Sequence, residues 1–282
     1  MPNFGYHLAR AKGATVRAIY ASHLPAIVRR PVQARQSCPL EVFAYSGESA
    51  LPEQIASIRS FIRHAGRPEL FTIVSDGTYS ERSLELLRQV DPVVVVSQID
   101  DWIPADLPSP LSTYLRTHPT GKQLAVIMSL PVKRPALYID SDVLFFRGAN
   151  AVTQQAIRGD TPALYLPDCQ LAADARLFRE PSERNRPVNT GVLFLFRPLD
   201  WSLSLKRFLE LEGSPTFFTN QTMAHLTMHA NGAGPLDTRA FVLQLDDQFI
   251  YEDRHNGEDL ALRHYVNPVR HKFWTSLIGS RW

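Results

Sequence analysis

The sequence predicts a doubly wound α/β domain, and three observations carry that expectation. Strand-like and helix-like runs alternate from Glu41 to Ser97, the pattern of a mostly parallel sheet with helices on its faces. The run Pro92-Val-Val-Val-Val-Ser97 is β-branched and apolar, as a strand covered on both faces should be. The apolar run Ala136 to Ile139 stops at Asp140 and Asp142 and resumes at Val143. A strand ending in carboxylates delivers them to the sheet edge, where ligands of open α/β sheets bind.

The elements follow in order. Glu41–Tyr45 reads as the first strand, and Ser46-Gly-Glu-Ser49 as a turn on the ligand side of the sheet. Pro52-Glu-Gln suits a helix start, and Ile55, Ile58, Phe61 and Ile62 fall on one helical face. Leu70–Val74 is the second strand, Glu81–Val90 a helix, and Pro92–Ser97 the third strand. Residues 99–120 carry Pro104, Pro108, Pro110 and Pro119 and are expected to be irregular. Gly121–Leu130 is a helix leading to the Asp140 strand, with Lys122 at its start. Ala163–Leu166 is a strand ending at Pro167 and Asp168. Residues 172–187 are polar, Arg-rich and expected to be a mobile loop. Val188–Phe196 is a turn feeding a strand, with Gly191 allowing close backbone approach to a ligand. Helices at Trp201–Glu212 and Asn220–His229 and a strand at Phe241–Leu245 complete the regular elements. The tail Arg263–Trp274 is basic and aromatic and matches neither period.

Composition narrows the class. The 282 residues are 44% hydrophobic and 21% charged, with a net charge of +2 and two cysteines, Cys38 and Cys169. No apolar run approaches the roughly 20 residues that span a bilayer. Two distant cysteines argue against a disulfide scaffold and a zinc-thiolate site, and suit a reducing, cytoplasmic setting. Residues 1–40 hold Arg10, Lys12, Arg17, Arg29, Arg30 and Arg35 and no acid, so the rest is net acidic. The whole is therefore no generic polyanion binder, and nucleic acid is not an expected partner. We divide the chain into a basic N-terminal extension, 1–38, and a single domain, 39–282. The extension offers a peripheral contact for an anionic membrane or a partner. It also has the character of an organelle transit peptide, and a solvated or core-covering arm is an equal alternative.

Asp140 and Asp142 straddle one residue, so a turn can aim both at one point. A divalent cation relieves their repulsion, and Mg²⁺ and Mn²⁺ favour oxygen ligands shared with substrate phosphates. Asp-x-Asp alone is short, and many copies are capped turns. In the tail, His264 is of a type that ligates metals, and Arg270 and Lys272 are of a type that neutralises phosphates.

Residues 137–144 (LYIDSDVL), 189–192 (NTGV) and 264–274 (HYVNPVRHKFW) together resemble the family 8 glycosyltransferases, retaining enzymes of the GT-A fold related to glycogenin and to lipopolysaccharide galactosyl- and glucosyltransferases. The resemblance spans roughly residues 40–274. It implies a GT-A, Rossmann-like fold with a mixed central sheet flanked by helices. It implies a metal site of Asp140, Asp142 and His264 holding Mn²⁺ or Mg²⁺, and a nucleotide-diphosphate sugar donor, UDP-sugar by family precedent. Lys272 matches the lysine that contacts the diphosphate, and Asn189, Thr190 and Gly191 match the motif beside the donor sugar. Asp168 falls where sugar hydroxyls are bound, Lys122 where a basic residue touches donor, and Tyr45 near the base pocket. Gln221 matches the glutamine near the anomeric carbon. The acceptor, whether glycan, lipid or protein, is not named by these residues.

Several positions depart from the family pattern. Asn220 stands where the family has Asp, Asn267 where the tail motif has Gly, and Phe273 where it has Pro, with His271 as an extra residue before Lys272. The first strand ends in Tyr45-Ser-Gly rather than an acid. Retaining members of the family have no agreed protein nucleophile, so front-side attack assisted by the leaving phosphate is the expected route. An inverting enzyme needs a carboxylate base, for which Asp246 and Asp247 are the candidates. The rivals are a haloacid dehalogenase-like phosphatase, disfavoured by Leu144 and the mid-chain motif; nucleotidyl transfer, disfavoured by the missing Gly-rich loop; and a non-catalytic sugar-nucleotide-binding protein, which Asn220 favours. The Asn220-Gln-Thr222 sequon is taken as incidental.

Overall fold

The computed structural model describes residues 3–158, 160–257 and 259–279. Its centre is a seven-stranded mixed sheet flanked by helices. β1 (Ser37–Ser46), β2 (Arg67–Ser75) and β3 (Val94–Gln98) run parallel, as does β4 (Ala136–Asp140) beside β1. β7 (Val188–Leu195) is antiparallel to both β4 and β6 (Ala163–Pro167), and the short β8 (Gly234–Pro235) closes the edge. The spatial order is β3-β2-β1-β4-β7-β6-β8. A second, three-stranded sheet joins β5 (Val143–Phe145), β10 (Leu262–His264) and β9 (Phe241–Val242) in the order β5-β10-β9.

The parallel half is built from crossover units. α3 (Leu51–His64) follows β1 and α4 (Glu81–Gln89) follows β2. Ile55, Ile58, Phe61 and Ile62 of α3 are all fully buried, so the apolar stripe read from the spacing is its core face. Ser80 caps α4 by accepting from the Ser83 amide at 3.3 Å, which satisfies an amide left free by the helix start. β7 is buried at every position: α9 covers one face, and on the other Phe194 meets Phe241 of the second sheet.

Several elements differ from expectation, each for a local reason. The Pro-rich stretch contains α5 (Ser109–Thr117), and α6 (Pro119–Met128) begins two residues earlier than Gly121. In both helices the proline sits in the first turn, where its missing N–H costs nothing. Residues 172–187 form two short 3₁₀ turns around buried Leu177 and Phe178. Arg176 pairs with Asp174 at 2.7 Å and Arg207 with Glu183 at 2.9 Å to hold them, so ion pairs replace the expected mobility. The tail is not irregular: it supplies β10 and then α10 (His271–Gly279). α7 (Asn150–Arg158), α8 (Ser202–Leu209) and α9 (Thr219–Ala230) complete the helices of the second half.

The N-terminal arm folds as α1 (Phe4–Ser22) and α2 (Leu24–Val28). Leu24, Val28 and Val32 join the main core. α1 lies against α10 so closely that a Cβ on Gly13 would sit 2.3 Å from the His271 carbonyl oxygen. Tyr20 packs its ring 5.2 Å from that of Trp274. Arg17 pairs with buried Glu53 at 2.5 Å, and Trp274 Nε1 donates to the same carboxylate at 3.1 Å. The arm thus covers core and ties to both α3 and α10. Among the described residues no helix is long and apolar enough to cross a membrane.

Candidate active site

Register, rather than sequence proximity, assembles the site. Asp140 ends β4 opposite Tyr45 of β1. On its other side β4 pairs antiparallel with β7, with Ile139 opposite Val192, which brings Gly191 beside Asp140. His264 ends β10 opposite Val143 of β5, so it meets the turn that carries Asp142. The Tyr265 amide donates to the Asp142 carbonyl oxygen at 2.9 Å and locks that junction. One ligand atom from each of Asp140, Asp142 and His264 lies within 4.8 Å of the others.

The hydrogen-bond pattern fixes the histidine. Asn189 Oδ1 accepts from the Gly191 amide at 2.9 Å and lies 2.9 Å from His264 Nδ1. An oxygen there requires the proton on Nδ1. Nε2 then faces Asp142 Oδ1 at 3.0 Å and Asp140 Oδ2 at 3.6 Å. A lone pair and two carboxylates converging on one point is an arrangement that either a proton or a cation must resolve. Burial alone would lower the His264 pKa, but the charge and hydrogen bond of Asp142, with the charge of Asp140, raise it. Burial raises Asp140, with the charge of Asp142 adding to it against the opposing pull of His264. For Asp142 burial is outweighed by His264 and Arg270, and its pKa falls to about 2. Two carboxylate oxygens and an imidazole nitrogen are a donor set that suits Mn²⁺ or Mg²⁺.

These groups open onto a cavity of about 310 Å³. Arg270 lines it and donates through Nε and a terminal nitrogen to Asp142 Oδ2 at 2.9 and 2.6 Å. That contact leaves Oδ1 to the His264 side. Asp168 Oδ2 accepts from Asn189 Nδ2 at 3.2 Å and from Gln221 Nε2 at 3.1 Å. Gln221 also donates to the Ala172 carbonyl at 3.1 Å. Thr190, Phe217, Phe218 and Asn267 form further wall. Gly191 belongs to the floor: a Cβ there would meet His264 Cε1 at 2.0 Å and Asp140 Oδ2 at 2.8 Å.

Asp140, Asp142, His264, Asp168, Asn189, Thr190, Gly191, Asn220, Gln221 and Arg270 are therefore brought together. Four expected residues are not. Lys272 is fully buried, pairs with Asp247 Oδ2 at 3.1 Å and donates to the Glu252 carbonyl. Asp247, also fully buried, receives Arg263 at 2.9 and 3.0 Å. The pair neutralises itself in the interior and does not face the cavity. Lys122 donates to the Asp76 carbonyl at 3.4 Å instead. Tyr45 stands beside Asp140 in the sheet without lining the cavity, its pKa raised by burial and by the charge of Asp76. The basic residue of this segment that does line the cavity is Arg270, two residues before Lys272.

Gln123 is the residue that sequence reasoning missed. Its Nε2 donates to Asp140 Oδ1 at 2.8 Å, and its Oε1 accepts from Asn220 Nδ2 at 2.7 Å. Asn220, where the family has an acid, thus anchors a chain of amides leading to the metal-type cluster. The signal available in sequence was position only: Gln123 sits one residue after Lys122 in the first turns of α6.

No family model matches the chain, and no curated protein matches it in sequence. Solved structures do. The galactosyltransferase LgtC, in complex with donor and acceptor sugar analogues, is similar over 85% of this chain and 95% of its own, with a TM-score of 0.53 and 15% identity. Mouse xyloside xylosyltransferase 1 is similar over 83% and 99%, with a TM-score of 0.53 and 14% identity. The glycosyltransferase GlyE of Streptococcus pneumoniae TIGR4 is similar over 86% and 61%, with a TM-score of 0.53 and 15% identity. The fold is that of the GT-A glycosyltransferases.

Proposed function

We propose that the protein transfers a sugar from a nucleoside-diphosphate sugar, a UDP-sugar by the resemblance of its motifs, to an acceptor hydroxyl with retention at the anomeric carbon. The observation that carries the reading is the convergence of Asp140, Asp142 and Nε2 of His264 at the ligand edge of a GT-A sheet. These three residues would hold Mn²⁺ or Mg²⁺, which supplies a counter-charge to the diphosphate. Arg270 adds a guanidinium at the same place and stabilises charge that grows on the departing nucleotide. Asp168, held by Asn189 and Gln221, is placed to accept from sugar hydroxyls. Gln221 keeps an amide near the reacting carbon, and Asn220 holds Gln123 against Asp140.

Retention is favoured over inversion by what lines the cavity. Its carboxylates are Asp140, Asp142 and Asp168, and each is already engaged by hydrogen bonds. Of the two residues an inverting scheme would call on, Asp247 is sealed against Arg263 and Lys272, and Asp246 pairs with His255 at 2.6 Å without lining the cavity. Front-side attack, with the leaving phosphate taking the acceptor proton, asks for no further base. The test is calorimetric titration of UDP with and without Mn²⁺, on wild type and on Asp140→Ala/Asp142→Ala. Binding that requires Mn²⁺ and is lost in the variant is expected. Absence of binding by any nucleoside diphosphate would overturn the reading. Donor hydrolysis or product formation would then separate an enzyme from a protein that only binds the donor.

A further inference from the structure

The N-terminal edge of the sheet holds a second concentration of charge. The connection from α2 to β1 and the last turns of α3 enclose a cavity of about 400 Å³ lined by Arg35, Arg59, Arg63, Pro31, Val32 and Gln33. Arg59 is only 8% exposed, and its Nε is buried with no hydrogen-bond partner. One of its terminal nitrogens donates to the Arg30 carbonyl at 2.9 Å. Among the described residues none of Arg30, Arg35, Arg59 and Arg63 forms a salt bridge. Burial, with the charges of Arg63 and Arg30, lowers the pKa of Arg59 against the opposing pull of Tyr20. Burial and the charges of Arg63, Arg35 and Arg147 push His64 down to about 4, so it adds no charge near neutral pH.

A guanidinium buried without a counter-charge is costly, and a folded chain normally answers it with a carboxylate. Among the described residues no carboxylate pairs with Arg59, and its side chain lines an open cavity. Several arginine forks facing one cavity match the oxygens of a phosphate group better than a single carboxylate. The position is also distinct from the candidate active site. The cavity lies before Ser37 at the start of β1, whereas Asp140 is level with Tyr45 near its end. Eight residues of strand separate those levels by roughly 25 Å.

We propose that this cavity is a phosphate-binding site in which Arg59, Arg63 and Arg35 take the oxygens of one phosphate group, carried either by a free anion or by an anionic phospholipid headgroup. The site gives the basic N-terminal region a defined ligand instead of a diffuse charge. It stands independently of the transferase reading, since none of its residues touches the first cavity. Binding at this edge would leave the Asp140 edge facing solution.

The experiment uses the full chain near physiological salt. Inorganic phosphate is titrated while the arginine Nε–H signals are followed by NMR. In parallel, the protein is sedimented with vesicles of phosphatidylcholine alone or mixed with phosphatidylglycerol. Arg35→Gln and Arg63→Gln remove exposed or half-exposed charge and should leave the fold intact; Arg10→Gln on α1 is the charge-matched control. Wild type is expected to bind one or both probes, with binding weakened roughly tenfold or more in the two cavity variants and unchanged in the control. Response to phosphate in solution assigns a free anion; response only to phosphatidylglycerol vesicles assigns a headgroup. Failure to bind either probe would overturn the proposal, as would equal weakening by Arg10→Gln. Loss of Mn²⁺-dependent UDP binding in the folded cavity variants would show that the two sites are not separate, and would overturn it too.

Discussion

Gly191→Ala is the most direct test of how the candidate active site is held. The added Cβ would lie 2.0 Å from His264 Cε1, 2.7 Å from Nδ1 and 2.8 Å from Asp140 Oδ2. Ordinary carbon contacts lie at about 3.5–4.0 Å, so the imidazole must retreat by roughly 1.5 Å. It has no free direction in which to go, because it is 1% exposed and held at 2.9 Å by Asn189 and 3.0 Å by Asp142. A retreat of that size breaks both contacts. Overpacking a filled interior costs about 1–3 kcal/mol, and each charge-assisted hydrogen bond lost adds about 1.5–3 kcal/mol. Relaxation will recover part of this, so a net loss of about 2–4 kcal/mol in urea unfolding is expected. Displaced groups around a metal ligand typically weaken metal affinity by about 10–100-fold, and Mn²⁺-dependent UDP binding should fall by that factor in calorimetry. Wild-type urea stability together with wild-type UDP binding would refute the claim that Gly191 is the floor against which His264 is fixed.

Three further outcomes are expected. Asp174→Asn should destabilise the protein at pH 7: the hydrogen bonds from Arg176, joined by Thr219 and opposed by burial, hold the Asp174 pKa at about 2. A depressed carboxylate contributes its stability above the unfolded value and loses it as pH falls toward the folded one. The gap of about 2 kcal/mol at neutral pH should therefore close between pH 4 and pH 2 in urea titrations; a gap that persists at pH 2 would exclude this cause. Asp247→Asn leaves Arg263 and Lys272 buried with less counter-charge, so a loss of about 3–5 kcal/mol is expected. Wild-type stability with loss of turnover alone would instead make Asp247 a catalytic base. Gly13→Ala forces α1 off α10, with a cost of about 1–3 kcal/mol, and should speed proteolysis within residues 4–22 relative to wild type; unchanged cleavage would mean that the helices do not rely on that contact.

What was legible in the sequence was what depends on neighbouring residues. The parallel strands and α3 declare themselves through period and burial, and Asp140 and Asp142 through their place at the end of an apolar run. What depends on distant pairing was harder. β10 is three residues long, too short to show a period, and His264 was found only through the tail motif. Within that motif the resemblance selects Lys272, two residues beyond Arg270. Burial decides between them, since Lys272 is fully buried against Asp247 whereas the Arg270 side chain is 51% exposed. Gln123 had no sequence signal because its role is set by two partners, Asp140 and Asn220, that lie 17 and 97 residues away.

The least legible part was the link between the two ends of the chain. Residues 1–38 are basic and hold no acid, which left a membrane or partner contact, a transit peptide and a solvated or core-covering arm as alternatives. Folded as α1 and α2, they are placed where they can act on the site. Gly13 abuts His271, the residue directly after Arg270. Glu53 at the start of α3 binds both Arg17 of α1 and Trp274 of α10. α1 and α10 therefore share one buried carboxylate, and Arg270 emerges from the start of α10 toward Asp142. α1 thus buttresses the guanidinium that the donor phosphates would meet, and its residues act on that site through packing and the Arg17–Glu53 pair without lining the cavity. In the same arm Arg35 lines the cavity at the other end of the sheet. One basic segment thereby serves two edges by different physics: close helix packing at the ligand edge, and unanswered positive charge at the N-terminal edge.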